Sequence, residues 1–248
     1  MNRIVNIYPN FEILSQTAAE MFVNFANEAI RERGQFTVAL AGGSTPKSLY
    51  QLLATERIND KLDWKKTFFF FGDERNVSPG NAESNFKMAN EILFEPLMFP
   101  AGNIFRWETE LKNAEIIAEN YEETIKDFFV LAANEFPRFD LILLGMGDDG
   151  HTASLFPFTD ALNQTEKIAA ANYVEKLQTS RLTLTFPVIN NAANIIFLVS
   201  GANKAEILCE VLEGEFQPEK FPSQKVNPGN GDIYWLIEAN ASQKLSKF

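Results

Sequence analysis

Cysteine and histidine are almost absent from this 248-residue chain: Cys209 and His151 are the only ones. A single cysteine excludes an internal disulfide. One histidine and one cysteine leave only carboxylates to complete a zinc site, whose usual ligands are thiolates and imidazoles, so no metal is expected. Basic residues are also in deficit. Twenty-two Lys and Arg stand against 33 Asp and Glu, for a net charge of −11. Nucleic-acid binding needs a basic surface to neutralise phosphates, so a general polyanion binder is excluded. No apolar run approaches the ~18 residues that cross a bilayer. The stretch from Met1 to Val5 lacks the apolar core of a secretory signal. The expected setting is the cytoplasm, with no nucleic-acid or membrane partner.

What is abundant is apolar. The chain is 46% hydrophobic and holds 23 phenylalanines, enough for a sizeable core. Without linker, repeat or low-complexity block, residues 1–248 read as a single α/β domain. A first strand is expected over 4–8. A helix follows over 15–33, with Ser15 as its cap, Ala18, Phe22, Phe25 and Ala29 at helical spacing, and Gly34 closing it. Buried strands are expected at 36–41, 67–71, 139–144 and 194–199, because each is nearly all apolar, as in a sheet covered on both faces. Shorter or sided strands are read at 104–107, 167–174, 181–186 and 233–237. Helices are read at 46–54, 84–94, 114–134, 204–212 and 239–245, with Cys209 as a buried helix position. Residues 214–231 are loop, either a lid or a connection. Strands alternating with helices predict a doubly wound, mostly parallel sheet, whose ligands bind beyond the carboxyl ends of the strands.

Four of those strand ends exit into small or charged residues: 42–45, 72–75, 145–151 and 200–204. The junction Gly42-Gly43-Ser44-Thr45-Pro46 joins a strand to a helix. Its glycines let backbone approach an anion, Ser44 and Thr45 offer hydroxyls, and the helix N-terminus offers free N–H groups. Asp73-Glu74-Arg75 puts three ionised side chains after four phenylalanines. Arg75 suits an anionic oxygen, and Asp73 suits sugar hydroxyls. Gly145, Gly147 and Gly150 match G-x-G-x-x-G, the dinucleotide fingerprint. Asp148 and Asp149 inside that loop repel phosphate, and Pro157 cuts short the helix a dinucleotide loop must open. The loop therefore reads as a platform for His151, with a carboxylate beside it to orient the ring. An imidazole of ordinary pKa, about 6.5, suits general-base work near neutrality. Arg181 and Lys204 complete a pocket for a phosphate monoester carrying about −1.5 to −2 charges.

These motifs together resemble the 6-phosphogluconolactonase family. The resemblance rests on Leu40 to Pro46, Gly72 to Arg75, Glu83-Ser84-Asn85, Leu143 to Pro157, Arg181-Leu182-Thr183 and Gly201 to Ala205, in family order. It implies hydrolysis of 6-phospho-D-glucono-1,5-lactone in the pentose phosphate pathway; the lactone is already reactive in water, so no cofactor is expected, and the chain is expected to act as a monomer or small homo-oligomer. His151 is then the base, with Asp149 (or Asp148 or Asp73) orienting it. Arg75 serves the carbonyl or the substrate, and Gly43, Ser44, Thr45, Asp73, Arg181 and Lys204 bind substrate. A cousin family of the same fold, the glucosamine-6-phosphate deaminases, carries a glutamate where this chain has Phe156. A deaminase-isomerase and a non-catalytic sugar-phosphate sensor are the two alternatives.

Overall fold

The computed structural model describes residues 2–248. In chain order the strands are β1 (Arg3–Tyr8), β2 (Phe36–Leu40), β3 (Thr67–Phe71), β4 (Asp73–Arg75), β5 (Leu141–Leu144), β6 (Ala169–Val174), β7 (Thr179–Leu184), β8 (Asn194–Val199) and β9 (Asp232–Glu238). The helices are α1 (Phe11–Arg33), α2 (Ser44–Leu53), α3 (Glu56–Asn59), α4 (Asn85–Ala89), α5 (Ala114–Phe129), α6 (Phe186–Ile189) and α7 (Ala205–Glu213). Six strands make one parallel sheet in the order β1-β9-β8-β5-β2-β3. Every residue of β2 and β5 is buried, which explains why they read as unbroken apolar runs.

Phenylalanine fills both faces of β3. Phe69 turns to one side, among Phe22, Trp64, Phe94 and Phe99. Phe70 turns to the other, among Phe105, Phe128, Phe129 and Phe139. Successive strand side chains point to opposite faces, so a four-phenylalanine run serves two layers of helix at once. The expected strand at 104–107 does not form. Only Ile104 bridges to Phe69. Farther along, the Tyr121 hydroxyl and the Trp107 indole satisfy the Phe71 backbone instead of a neighbouring strand.

Other boundaries also move. α1 starts earlier than expected because Asn10, not Ser15, caps it, accepting from Ile13 N at 2.9 Å. Ser15 is buried in the helix face. α5 stops at Phe129 because Val130 turns left-handed (φ 52°), with Leu131 N donating to Lys126 O. Residues 84–94 are α4 followed by a wider π turn, Asn90–Phe94, which buries Leu93 and Phe94 consecutively. Cys209 is half-buried, not buried. The terminal helix at 239–245 is absent. Its backbone makes only three-residue turns, and Asn240 and Ser242 bond back to Glu238 and Ala239, the local competition that keeps such residues out of helices.

The sequence pattern did not reveal a second sheet, antiparallel, in the order β4-β7-β6. Gly72 is its pivot: its N–H donates to Leu40 O in the main sheet, and its carbonyl accepts from Leu184 N in the second, both at 2.8 Å. One continuous segment thus leaves β3 and enters β4. The register pairs Asp73 with Thr183, Glu74 with Leu182, and Arg75 with Arg181.

Candidate functional site

β2 and β5 are neighbours, and the chain leaves them toward opposite edges of the sheet. Such a switch point opens a crevice at the strand ends. Here the crevice is a cavity of ≈ 430 Å³, walled by Gly42, Gly43, Asp73, Arg75, Asp149, His151, Lys176, Arg181 and Lys204 among others.

The 145–151 loop closes on itself. Gly147 N donates to His151 O at 2.8 Å, Gly150 is left-handed (φ 79°), and Thr152 Oγ1 donates to Gly145 O at 2.8 Å. No helix follows: Ala153 is left-handed, and Thr152 and Leu155 pair as a bridge. The imidazole lies on the Phe156 ring, centroids 4.0 Å apart. Its Nδ1 sits 2.5 Å from Asp149 Oδ1. A proton on Nδ1 is assigned from that contact, which leaves the Nε2 lone pair as the basic one. Burial alone would raise the Asp149 carboxyl. The hydrogen bond and charge of the His151 ring outweigh it, with a smaller contribution from Lys176, and hold the carboxyl below its usual range. Gly147 is what lets the ring lie there: a Cβ on it would stand 2.0 Å from Nδ1. Gly147→Ala is therefore expected to displace the ring and lower turnover by about 10²-fold, the cost of a misplacement near 1 Å. Steady-state kinetics checks it, and wild-type turnover would refute the packing argument.

Asp73 is buried and held twice, by Ser154 Oγ at 2.7 Å and Asn85 Nδ2 at 3.2 Å. Its neighbour Glu74 points away from the cavity wall and binds the start of α4: the amides of Asn85 and Phe86, both at 2.8 Å, and the Ser84 hydroxyl. Burial pushes the Glu74 carboxyl up, and those amide bonds oppose the shift. Arg75 and Arg181 lie side by side across the β4–β7 ladder. Arg75 donates to Glu83 O, and among the described residues neither guanidinium has a carboxylate partner. Burial, then the neighbouring Arg75, lowers the Arg181 pKa, as expected where two like charges face one empty space.

The glycine junction is reached only in part. Gly43, with φ 101°, lines the cavity and leaves the N-terminus of α2 without a side-chain cap. Ser44 opens instead toward an adjoining recess with Lys47 and Glu83, and Thr45 lines neither space. Lys204 lies in the wall with its ammonium on Asp148, so one of the two repelling carboxylates is neutralised in place. Lys176 was not foreseen. It stands in a weakly patterned segment, and its place 3.5 Å from Asp149 Oδ2 follows only from the turn after β6. Asn85 and Ser154, which fix Asp73, also carried no individual signal. Residues 214–231 contribute no wall to this cavity. They buttress the loop from behind, through Ser223 N and Oγ on Gly150 O at 2.9 and 2.8 Å.

The cavity wall holds four cations (Arg75, Lys176, Arg181, Lys204) and three carboxylates (Asp73, Asp148, Asp149). A small dianion therefore finds a locally cationic recess on an acidic molecule. Known proteins share this arrangement of chain. A 6-phosphogluconolactonase of Nostoc sp. is 39% identical over 246 residues, 99% of this chain and all of its own. One from Synechocystis sp. is 40% identical over 241 residues, 97% of this chain and 98% of its own. The solved 6-phosphogluconolactonase of Trypanosoma brucei superposes with a TM-score of 0.87 at 26% identity, covering 99% of both chains. The family model described as glucosamine-6-phosphate isomerases/6-phosphogluconolactonase matches residues 9–235, and the chain belongs to that family.

Proposed function

We propose that this chain is a 6-phosphogluconolactonase: it hydrolyses 6-phospho-D-glucono-1,5-lactone to 6-phosphogluconate, the lactone-opening step of the pentose phosphate pathway. The observation that carries the reading is the Asp149–His151 contact, at 2.5 Å, in the same cavity as two arginines that have no acidic partner among the described residues. The relatives named above point to the same substrate. In this reading residues 1–248 act as one catalytic domain, working in the cytoplasm as a monomer or small homo-oligomer.

The phosphate docks against Gly43 and the uncapped start of α2, between Arg181 and Lys204, with Ser44 toward the adjoining recess and Thr45 outside the contact. Charge-assisted bonds from a guanidinium and an ammonium suit a phosphate oxygen cluster. Asp73, held by Ser154 and Asn85, accepts sugar hydroxyls. The lactone C1 carbonyl faces His151. Nε2 takes a proton from water, and the hydroxide so formed bonds to C1. Arg75 stabilises the negative charge that gathers on the carbonyl oxygen. Asp149 holds the ring in its Nδ1–H form and stabilises the imidazolium. As the C1–O5 bond breaks, the imidazolium returns its proton to the ring oxygen. One water is consumed and no external electron or metal is required.

The direct test is initial-rate hydrolysis of freshly generated lactone, corrected for its spontaneous opening. A rate no higher than the spontaneous one would end the proposal, and ammonia release from glucosamine 6-phosphate would replace it with the deaminase reading. Phe156, stacked flat on His151, occupies the place where the cousin family has a carboxylate. Arg181→Ala and Lys204→Ala are each expected to raise KM by about 10–10²-fold, the loss of a charged hydrogen bond of roughly 1.5–3 kcal/mol, with smaller changes in kcat. Unchanged kcat/KM in both variants would remove the phosphate from this end of the cavity.

A further inference from the structure

A second cavity, of ≈ 460 Å³, opens between β9, α7 and the 214–227 segment, and it shares no lining residue with the first. Its size is that of a small-molecule site. Its wall includes Arg3 and Lys225 but no Asp or Glu, in a chain where 33 residues are acidic.

The polar groups of that wall fall into two sets. Those that include an acceptor are mostly engaged. Asn190 accepts from Asn227 N and donates to Lys225 O. Gln224 accepts from Gln217 N and donates to Glu210 O and Glu215 O. Ser223 donates to Gly150 O. These bonds also preform the wall, so little ordering is left for a ligand to impose. The charged groups of the wall, Arg3 and Lys225, are both donors. Arg3 has no carboxylate partner among the described residues and reaches only Leu212 O, at 3.5 Å. Lys225 donates to Leu162 O and lies 5.1 Å from the Phe186 ring centroid, with no carboxylate partner among the described residues. The Trp235 ring lines the wall, and its indole N–H is buried behind that face without a partner among the described residues. Apart from the Asn227 amide, the remainder of the wall is apolar, including Val211, Leu212 and Ile233, with the Phe216 ring 72% exposed at its edge.

We propose that this cavity is a second binding site, for a small organic anion with a planar apolar body. Arg3 and Lys225 receive the anionic head. Phe216, the Trp235 ring and the aliphatic wall cover the body. An apolar ligand alone would leave the donors unpaired, and a bare inorganic anion would leave Phe216 uncovered. A cation would meet Arg3 and Lys225.

The probe is phenyl phosphate, titrated into the whole chain and read on the indole N–H resonances of Trp64, Trp107 and Trp235, with Trp235→Phe assigning the third. The expected result is a saturable shift of the Trp235 signal. Arg3→Gln and Lys225→Met each weaken it about tenfold or more, a change of about 1.4 kcal/mol. Arg181→Ala leaves it in place. Unmoved Trp64 and Trp107 signals in the variants show that each is folded. No shift up to ~10 mM, weaker than useful affinity on any scale, would overturn the site. A shift that survives both cavity variants would also overturn it, as would one that disappears in Arg181→Ala, since it would then be relayed from the first cavity. Equal binding of inorganic phosphate would overturn the organic ligand class. The readout is binding and not turnover, so failure here leaves the lactonase proposal standing.

Discussion

His151→Ala is expected to lower kcat for the lactone by about 10²–10⁴-fold, the usual contribution of a positioned general base and equivalent to roughly 3–5 kcal/mol of barrier. The chain has no other histidine to substitute for it. Nδ1 is engaged by Asp149, so the variant loses the free Nε2 and, at the same time, strands a carboxylate that had been paired with the ring. KM should change little, because the end of the cavity proposed for the phosphate is built from other elements, β7 and the start of α7. A fall confined to kcat therefore separates loss of the base from loss of binding. Asp149→Asn supplies the companion measurement: it keeps the shape and removes the charge, so it should retain binding and lose part of the turnover. Near-wild-type kcat in His151→Ala would end the assignment of the base.

Phe69→Ala is expected to destabilise the fold by about 3–5 kcal/mol, the range for truncating a buried aromatic. The ring is fully buried and meets four other aromatic residues, with centroids 5.0 Å from Phe99, 5.1 Å from Phe94, 6.2 Å from Trp64 and 6.4 Å from Phe22. Those partners come from α1, the turn before β3 and the segment after α4, so the cavity left behind is shared by elements that cannot all collapse inward. Typical domains hold only 5–15 kcal/mol in total, and the variant should spend a measurable fraction of time unfolded at physiological temperature. Denaturant titration measures it as a lower midpoint at nearly unchanged slope. A loss under ~1 kcal/mol would mean that the aromatic cluster repacks freely. Turnover at low temperature should survive, because Phe69 lines no part of the cavity.

Much of this was legible in the chain. Strands covered on both faces announce themselves as apolar runs, and β2, β3, β5 and β8 were located to within a few residues. The glycine loop was legible by contradiction: two aspartates and an early proline oppose the nucleotide pattern its glycines satisfy, and no helix follows His151. Two of the misreadings share a cause. At 104–107 and 239–245 local pattern favoured an element. At the first, the β3 backbone at Phe71 is satisfied by the Tyr121 hydroxyl and the Trp107 indole instead of by a strand, and at the second Ser242 bonds back to the Ala239 carbonyl. Propensity does not see such partners. Thr45 was grouped with Gly43 because both belong to one strand-to-helix junction, but the first turn of a helix rotates each successive side chain away by about 100°.

The chain's own order of residues was enough to determine the parallel α/β architecture and to single out His151, since burial pattern and residue scarcity are local properties. The tertiary structure alone decided how the charges meet. Arg75 stands beside Arg181 because a three-residue strand, too short to carry a pattern, crosses at Gly72 into a second sheet and pairs with residues more than a hundred positions away. Asp149 rather than Asp148 reaches the imidazole because the loop closes between Gly147 and His151, which leaves Asp148 to Lys204. Long-range pairing and the turn of one loop fix those distances, and neither is written in the spacing of the residues involved.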